Sequence, residues 1–168
     1  MSRIPVWIAV AFAVLGCASD YSWRSRVPER MRSVAVPVFR NESDITGLGS
    51  AAARQLLREF QREGTFRIAD KDDCALEIQG VVRKSAVSTA GYDRGTGMRL
   101  SNCDLSADVE ISVVDKTSGK LLVENRRYTA KTTFIENGDH LTAKRDASGR
   151  LAEDLARQVV DDVLSLKW

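Results

Sequence analysis

A single histidine, three cysteines and three prolines are all that the 168 residues hold of these types. The lone imidazole, His140, lies in the polar stretch ENGDH and no CxxC pair exists, so a histidine–cysteine zinc set lacks ligands. The phosphate-cradling GxxxxGK[ST], the dinucleotide GxGxxG, the zinc-protease HExxH and the GxSxG elbow are also missing. The acidic pairs Asp72-Asp73 and Asp161-Asp162 read as a solvated loop and a polar helix face. These absences argue against an enzyme, a resident metal and a cofactor. Neither sign of charge dominates: 25 Lys and Arg face 23 Asp and Glu. No global field therefore selects a nucleic acid as partner. Beyond residue 16, no apolar run is long enough to span a bilayer.

What is present begins with Met1, Ser2 and Arg3, followed by an uncharged run from Ile4 to Gly16. Such a run is shorter than the ~20 residues of a spanning helix and fits a secretory signal. It ends in Val14-Leu15-Gly16-Cys17, which resembles the lipobox of bacterial lipoproteins. That resemblance implies a signal peptide over residues 1–16, removed just before Cys17, and a lipidated Cys17 as the new N-terminus. Several acyl chains hold a protein on a membrane where one chain binds only marginally. Ala18, where Asp would favour retention at the inner membrane, implies export to the outer membrane. Cys74 and Cys103 share the alternation parity of Leu76 and Ile78 and of Leu105 and Ala107. They read as buried free thiols more readily than as a bridge, although an exported address would permit one.

Residues 17–32 read as a lipidated tether, carrying four arginines and Pro28, whose charge could lie near anionic head groups. The domain proper is expected over 33–168. SVAVPVF (33–39) is a strand, with Pro37 placing it at an edge or at a bulge. Leu48, Ala52, Leu56 and Phe60 form one apolar row of a helix over 48–63, stopped by Gly64. FRIAD (66–70) is a short extended segment. Strict alternation marks strands over 75–88 and 98–115, joined by the Gly-rich stretch 88–97 with Tyr92 near its tip as a possible partner contact. DKTSGK forms the next turn, and 121–134 a further strand. Its inward face is ambiguous, because Leu121 and Val123 oppose Leu122, Tyr128 and Phe134 in parity. Residues 135–149 are a polar connection, and a last helix over 150–166 has Asp146 or Ser148 as its cap.

The sum is an α+β fold with two helices packed on one face of a mainly antiparallel four- or five-stranded sheet. On its strands, Arg83, Lys84, Arg126, Arg127 and Lys131 are candidates to grip phosphates or carboxylates of a lipid head group. The alternative for each is a solvent-face charge that discourages sheet-to-sheet association.

The lipobox, MRSVAVPVFRNES, LGSAAARQLLREFQREGTFRIADKDDCALEIQGVV and the long strand pair resemble the lipopolysaccharide-assembly lipoprotein family, LptE, over about residues 17–135. The resemblance implies an outer-membrane lipoprotein with two helices on a four-stranded sheet. Such a protein plugs the β-barrel LptD, assists its assembly and helps deliver lipopolysaccharide to the outer leaflet, with basic residues on the lipid. VAVPVFRNES, a helix and GTFRIAD are also similar to periplasmic activator and secretion lipoproteins, among them peptidoglycan-synthase activators and the curli channel. The strand pair 98–115 and 121–134, without a further αβ repeat, favours the plug.

Overall fold

The computed structural model describes the backbone of residues 27–93, 100–136 and 140–168. Cys17, the signal peptide and the tether up to residue 26 lie outside the described residues, as do the Tyr92 side chain and residues 94–99. A short 3-10 turn over Glu29–Met31 leads into β1 (Ser33–Ala35) and β2 (Arg40–Asn41). Then come α1 (Leu48–Glu63), β3 (Arg67–Ile68), β4 (Leu76–Asp93), β5 (Leu100–Asp115), β6 (Leu121–Glu136) and α2 (His140–Leu164). Val27 and Met31 are buried in the core, so chain expected to be tether already packs from Val27 onward.

The sheet is mixed and six-stranded, in the order β3-β1-β4-β5-β6 with β2 also paired to β4. This corrects the expectation of a mainly antiparallel four- or five-stranded sheet. The antiparallel part is the β4–β5–β6 meander. The parallel part arises because α1 carries the chain across the sheet between β1 and β4. Such a crossover returns a strand parallel to the first. Val34 pairs with Leu76, Ser33 with Arg67, and Arg40 with Val81. Pro37 sits in the gap between β1 and β2, where no ladder donor is needed.

Helix α1 has the bounds its apolar row predicts, and Leu48, Ala52, Ala53, Leu56 and Phe60 are buried. Gly64, at φ 82°, closes it by donating its N–H to the Phe60 carbonyl at 3.1 Å. Helix α2 is longer than expected. It begins at His140, so His140 opens a helix instead of lying in a loop, and Asp146 and Ser148 are interior residues rather than caps. Ser148 Oγ instead donates to the Arg145 carbonyl at 2.7 Å. The added turns were hidden because little of them is apolar and buried: Ala147 is packed, while Leu141 is exposed.

One face of the sheet carries the core. Leu76, Ile78 and Val82 of β4 and Leu105, Val109 and Ile111 of β5 form one buried cluster with Leu48, Leu56 and Phe60 of α1 and Leu151, Leu155, Val159 and Val163 of α2. In β6 the inward residues are Val123, then Ala130 and Phe134. The parity changes between them at Asn125, whose φ of 43° lies in the left-handed region that Asn tolerates. Its N–H donates to Ser112 Oγ at 3.0 Å, within an irregular register between Ile111 and Val114. That bulge is why period two could not assign the strand a single inward face.

Cys74 and Cys103 are both buried and are not bridged to each other. Cys74 precedes the Leu76–Asp115 pair and Cys103 pairs with Thr89, at opposite ends of the β4–β5 hairpin. A dozen strand residues put them ~40 Å apart, whereas a bridge tolerates a Cα separation of at most ~7 Å.

Candidate functional site

The sheet face away from the helices is polar, and four of the five candidate cations share it. Arg83 stands there by alternation from Val82, and Lys84 joins it through a register shift between Val82 and Lys84. Val82 faces the core opposite Val109, yet Lys84 pairs with Asp108 on the open face, leaving Arg83 as the extra residue of the bulge. Uninterrupted alternation would send Lys84 into the core. The bulge brings both cations to one side.

Arg83 then spans two carboxylates. Its Nε donates to Glu110 Oε2 at 2.7 Å and its Nη1 to Glu42 Oε2 at 2.9 Å. Arg127, opposite Glu110 in the ladder, donates Nη2 to Glu110 Oε1 at 3.2 Å, and Arg40 pairs with Glu42 at 2.7 Å. The result is a chain of alternating charge with three guanidiniums on two carboxylates. The Arg83 hydrogen bond lowers the pKa of both Glu42 and Glu110, and Arg127 adds to the effect at Glu110. The same partners raise that of Arg83. Neither glutamate was singled out by sequence. The visible signal was the polar column from Asp104 to Ser112, to which Glu110 belongs.

Further along the face, Thr129 Oγ1 donates to Asp108 at 2.7 Å and Thr133 Oγ1 to Asp104 at 3.0 Å. Those carboxylates are thereby held by hydroxyls. Lys84 flanks Asp108 from β4, and Lys131 flanks Ser106 from β6. Both lysines are exposed, and neither has an ion-pair partner among the described residues. Two uncommitted ammonium groups on either side of β5 thus stand on a rigid platform, free to meet an anion.

Arg126 does not join them. It pairs with Ile111, on the core side of the sheet, and its guanidinium is tied to Asp162 of α2. Tyr128 Oη donates to the same Asp162 oxygen. Burial first, and then the Asp162 carboxylate, push the Tyr128 phenol well above its ordinary pKa. Arg126, Tyr128 and Asp162 form a clasp between β6 and α2, with the guanidinium spent on it.

No group of three or more possible metal ligands occurs among the described residues. No helix among them is long and apolar enough to cross a membrane. The model of the family described as LptE, lipopolysaccharide-assembly, matches residues 31–165. No curated protein matches the chain. Among solved structures, it is similar to a minor lipoprotein from Acinetobacter baumannii, at 13% identity and a TM-score of 0.51, covering 80% of this chain and 94% of that one. A homolog of a neuraminyllactose-binding hemagglutinin from Helicobacter pylori aligns at 10% identity and a TM-score of 0.52, over 83% and 86% of the two chains. The hypothetical protein CT253 of Chlamydia trachomatis aligns at 11% identity and a TM-score of 0.52, over 80% and 96%. At these identities the likeness is one of fold.

Proposed function

The chain belongs to the LptE lipopolysaccharide-assembly family, and we propose that it serves as a lipid-anchored plug of the outer-membrane β-barrel LptD. LptE is a non-catalytic, envelope-associated lipoprotein family of lipopolysaccharide transport, and the family match spans most of the chain. In this reading residues 1–16 are removed, Cys17 is acylated and the mature protein stands on the outer membrane. Its folded domain occupies the barrel lumen, assists barrel assembly and guides lipopolysaccharide toward the outer leaflet.

The observation that supports lipid contact is the pair of exposed, uncommitted lysines, Lys84 and Lys131, beside a charge network with one guanidinium in excess. Ammonium and guanidinium groups held on a sheet pair with sugar phosphates as point charges and as planar forks. The step is non-covalent: cations screen the anionic head group while the strands hold their spacing. Arg83 and Arg127 contribute as network members, and Arg126 is left out of the contact.

The test is a pull-down from membranes in mild detergent. Recovery of a large β-barrel in near-equal amount supports the plug. Recovery of a peptidoglycan synthase, or of a homo-oligomeric ring, overturns it in favour of a regulator or secretion lipoprotein.

A further inference from the structure

Each arginine of the open face touches a carboxylate, but those of a second group do not. Where the chain enters the fold, an open hollow of about 410 Å³ is lined by Arg30, Arg32 and Arg67, with Glu29, Ser33 and Thr65. Arg30 belongs to the 3-10 turn, Arg32 follows it, and Arg67 opens β3. The backbone locks them together: Ser33 pairs with Arg67, and the Arg67 N–H donates to the Arg32 carbonyl at 2.7 Å. Only Arg32 spends its side chain inward, Nε donating to the Val27 carbonyl at 3.1 Å. Arg30 and Arg67 are exposed and have no carboxylate partner among the described residues. Glu29 is the one acid on the lining against three guanidiniums.

The position of the hollow selects its occupant. Ten peptide steps separate Cys17 from Val27, a reach of at most ~35 Å. An acylated Cys17 therefore keeps this end of the fold close to the bilayer that holds it. The intervening sequence adds Arg24 and Arg26 against Asp20. Phosphodiesters suit guanidinium forks. We propose that the hollow formed by Arg30, Arg32 and Arg67 is a docking surface for anionic phospholipid head groups of the leaflet carrying the anchor. It sets the domain with its β1–β3 end toward the membrane. The proposal rests on the reading of Cys17 as the anchor. A basic residue near an anionic leaflet strengthens binding about fivefold, so Arg30 and Arg67 together supply about 25-fold.

Trp168 is a built-in reporter, its ring 6.3 Å from that of Phe66, which also lines the hollow. The experiment takes the mature protein from membranes, with its N-terminal mass measured and Trp23→Phe removing the tether fluorophore. It is reconstituted in vesicles of phosphatidylcholine, alone or mixed with phosphatidylglycerol, each containing a lipid with a nitroxide on its head group. Trp168 should be quenched more strongly when phosphatidylglycerol is present. The excess should vanish at high salt and in Arg30→Gln/Arg67→Gln, whose urea midpoint should match the parent's. Equal quenching in both vesicles overturns the proposal, as does an excess that survives the double substitution. An excess seen only in vesicles containing lipopolysaccharide also overturns it, moving these arginines to that lipid. A mass without acyl groups sinks the anchor reading alone. Vesicle binding by the unanchored protein then tests the hollow directly, and absence of the 25-fold loss in the double variant overturns it.

Discussion

Arg83 donates its Nε–H to Glu110 Oε2 at 2.7 Å across the seam between β4 and β5, at the bulge that turns the next residue, Lys84, onto the same open face. Glu110 and Glu42 both have lowered pKa values, through Arg83 first in each case. A carboxylate with a depressed folded pKa stabilises fully above its unfolded pKa, and that stability is lost as pH falls through the folded value. The network should therefore weaken only on the acid side of the ordinary carboxylate range. Glu110→Gln is expected to flatten the acid limb of stability against pH, followed by urea midpoints. An acid limb identical to the parent's would show these exposed pairs to be worth nothing, as many surface pairs are.

A different constraint acts where Phe39 meets Gly80. A Cβ on Gly80 would stand 2.5 Å from the Phe39 ring, and one on Gly49 would stand 2.4 Å from the Phe39 carbonyl oxygen. Phe39 is thus wedged between β4 and the start of α1, and both glycines make room for it. Gly80→Ala should cost about 1–3 kcal/mol by overpacking. In a Phe39→Ala background that cost should largely disappear, a coupling that a double-mutant cycle in urea measures. Additive costs would place the strain elsewhere.

These two sites show what was legible in the chain. Helix α1 was readable to the residue, because its apolar row is continuous and a glycine stops it. The β4–β5 meander was readable because alternation there is unbroken from Leu105 to Val113. What escaped were departures from period: Asn125 flips the parity of β6, and Arg83 flips that of β4. Both depend on cross-strand register, which a single strand's pattern does not contain. The parallel strands β1, β2 and β3 are two or three residues long, too short for any period to appear. The early turns of α2 escaped because they bury little. Of the candidate site, the residue types were visible and alternation gives Arg83 its face, but the faces of Lys84 and of the β6 cations depend on the two bulges.

Tyr128 offers a test at the opposite end of the pH scale. Its phenol is half-buried and bonded to Asp162, so ionising it in the folded state is unfavourable. Stability from a group whose folded pKa is raised is present below the unfolded value and lost as pH climbs toward the folded one. In an alkaline titration followed by ultraviolet difference absorbance, one tyrosine should resist ionisation until the protein unfolds. That lag should be missing in Tyr128→Phe. At neutral pH the same substitution should cost about 1 kcal/mol, the net worth of one hydrogen bond.

The clasp also separates the roles of the five cations. If lipopolysaccharide lies against the open face, affinity follows the uncommitted charges and not the total number of basic residues. Lys84→Gln/Lys131→Gln should weaken binding of purified lipopolysaccharide about 25-fold at low salt, about fivefold for each charge near an anionic surface, with the thermal midpoint unchanged. Arg126→Gln should do the reverse, leaving affinity intact while loosening α2 from β6 and lowering the midpoint. Arg126 and Arg127 are adjacent in sequence and equal in charge, so a response from one without the other can come only from the face each occupies. Equal loss of affinity per charge removed in the two variants would mean that the lipid senses net charge and that the open face has no special part in holding it.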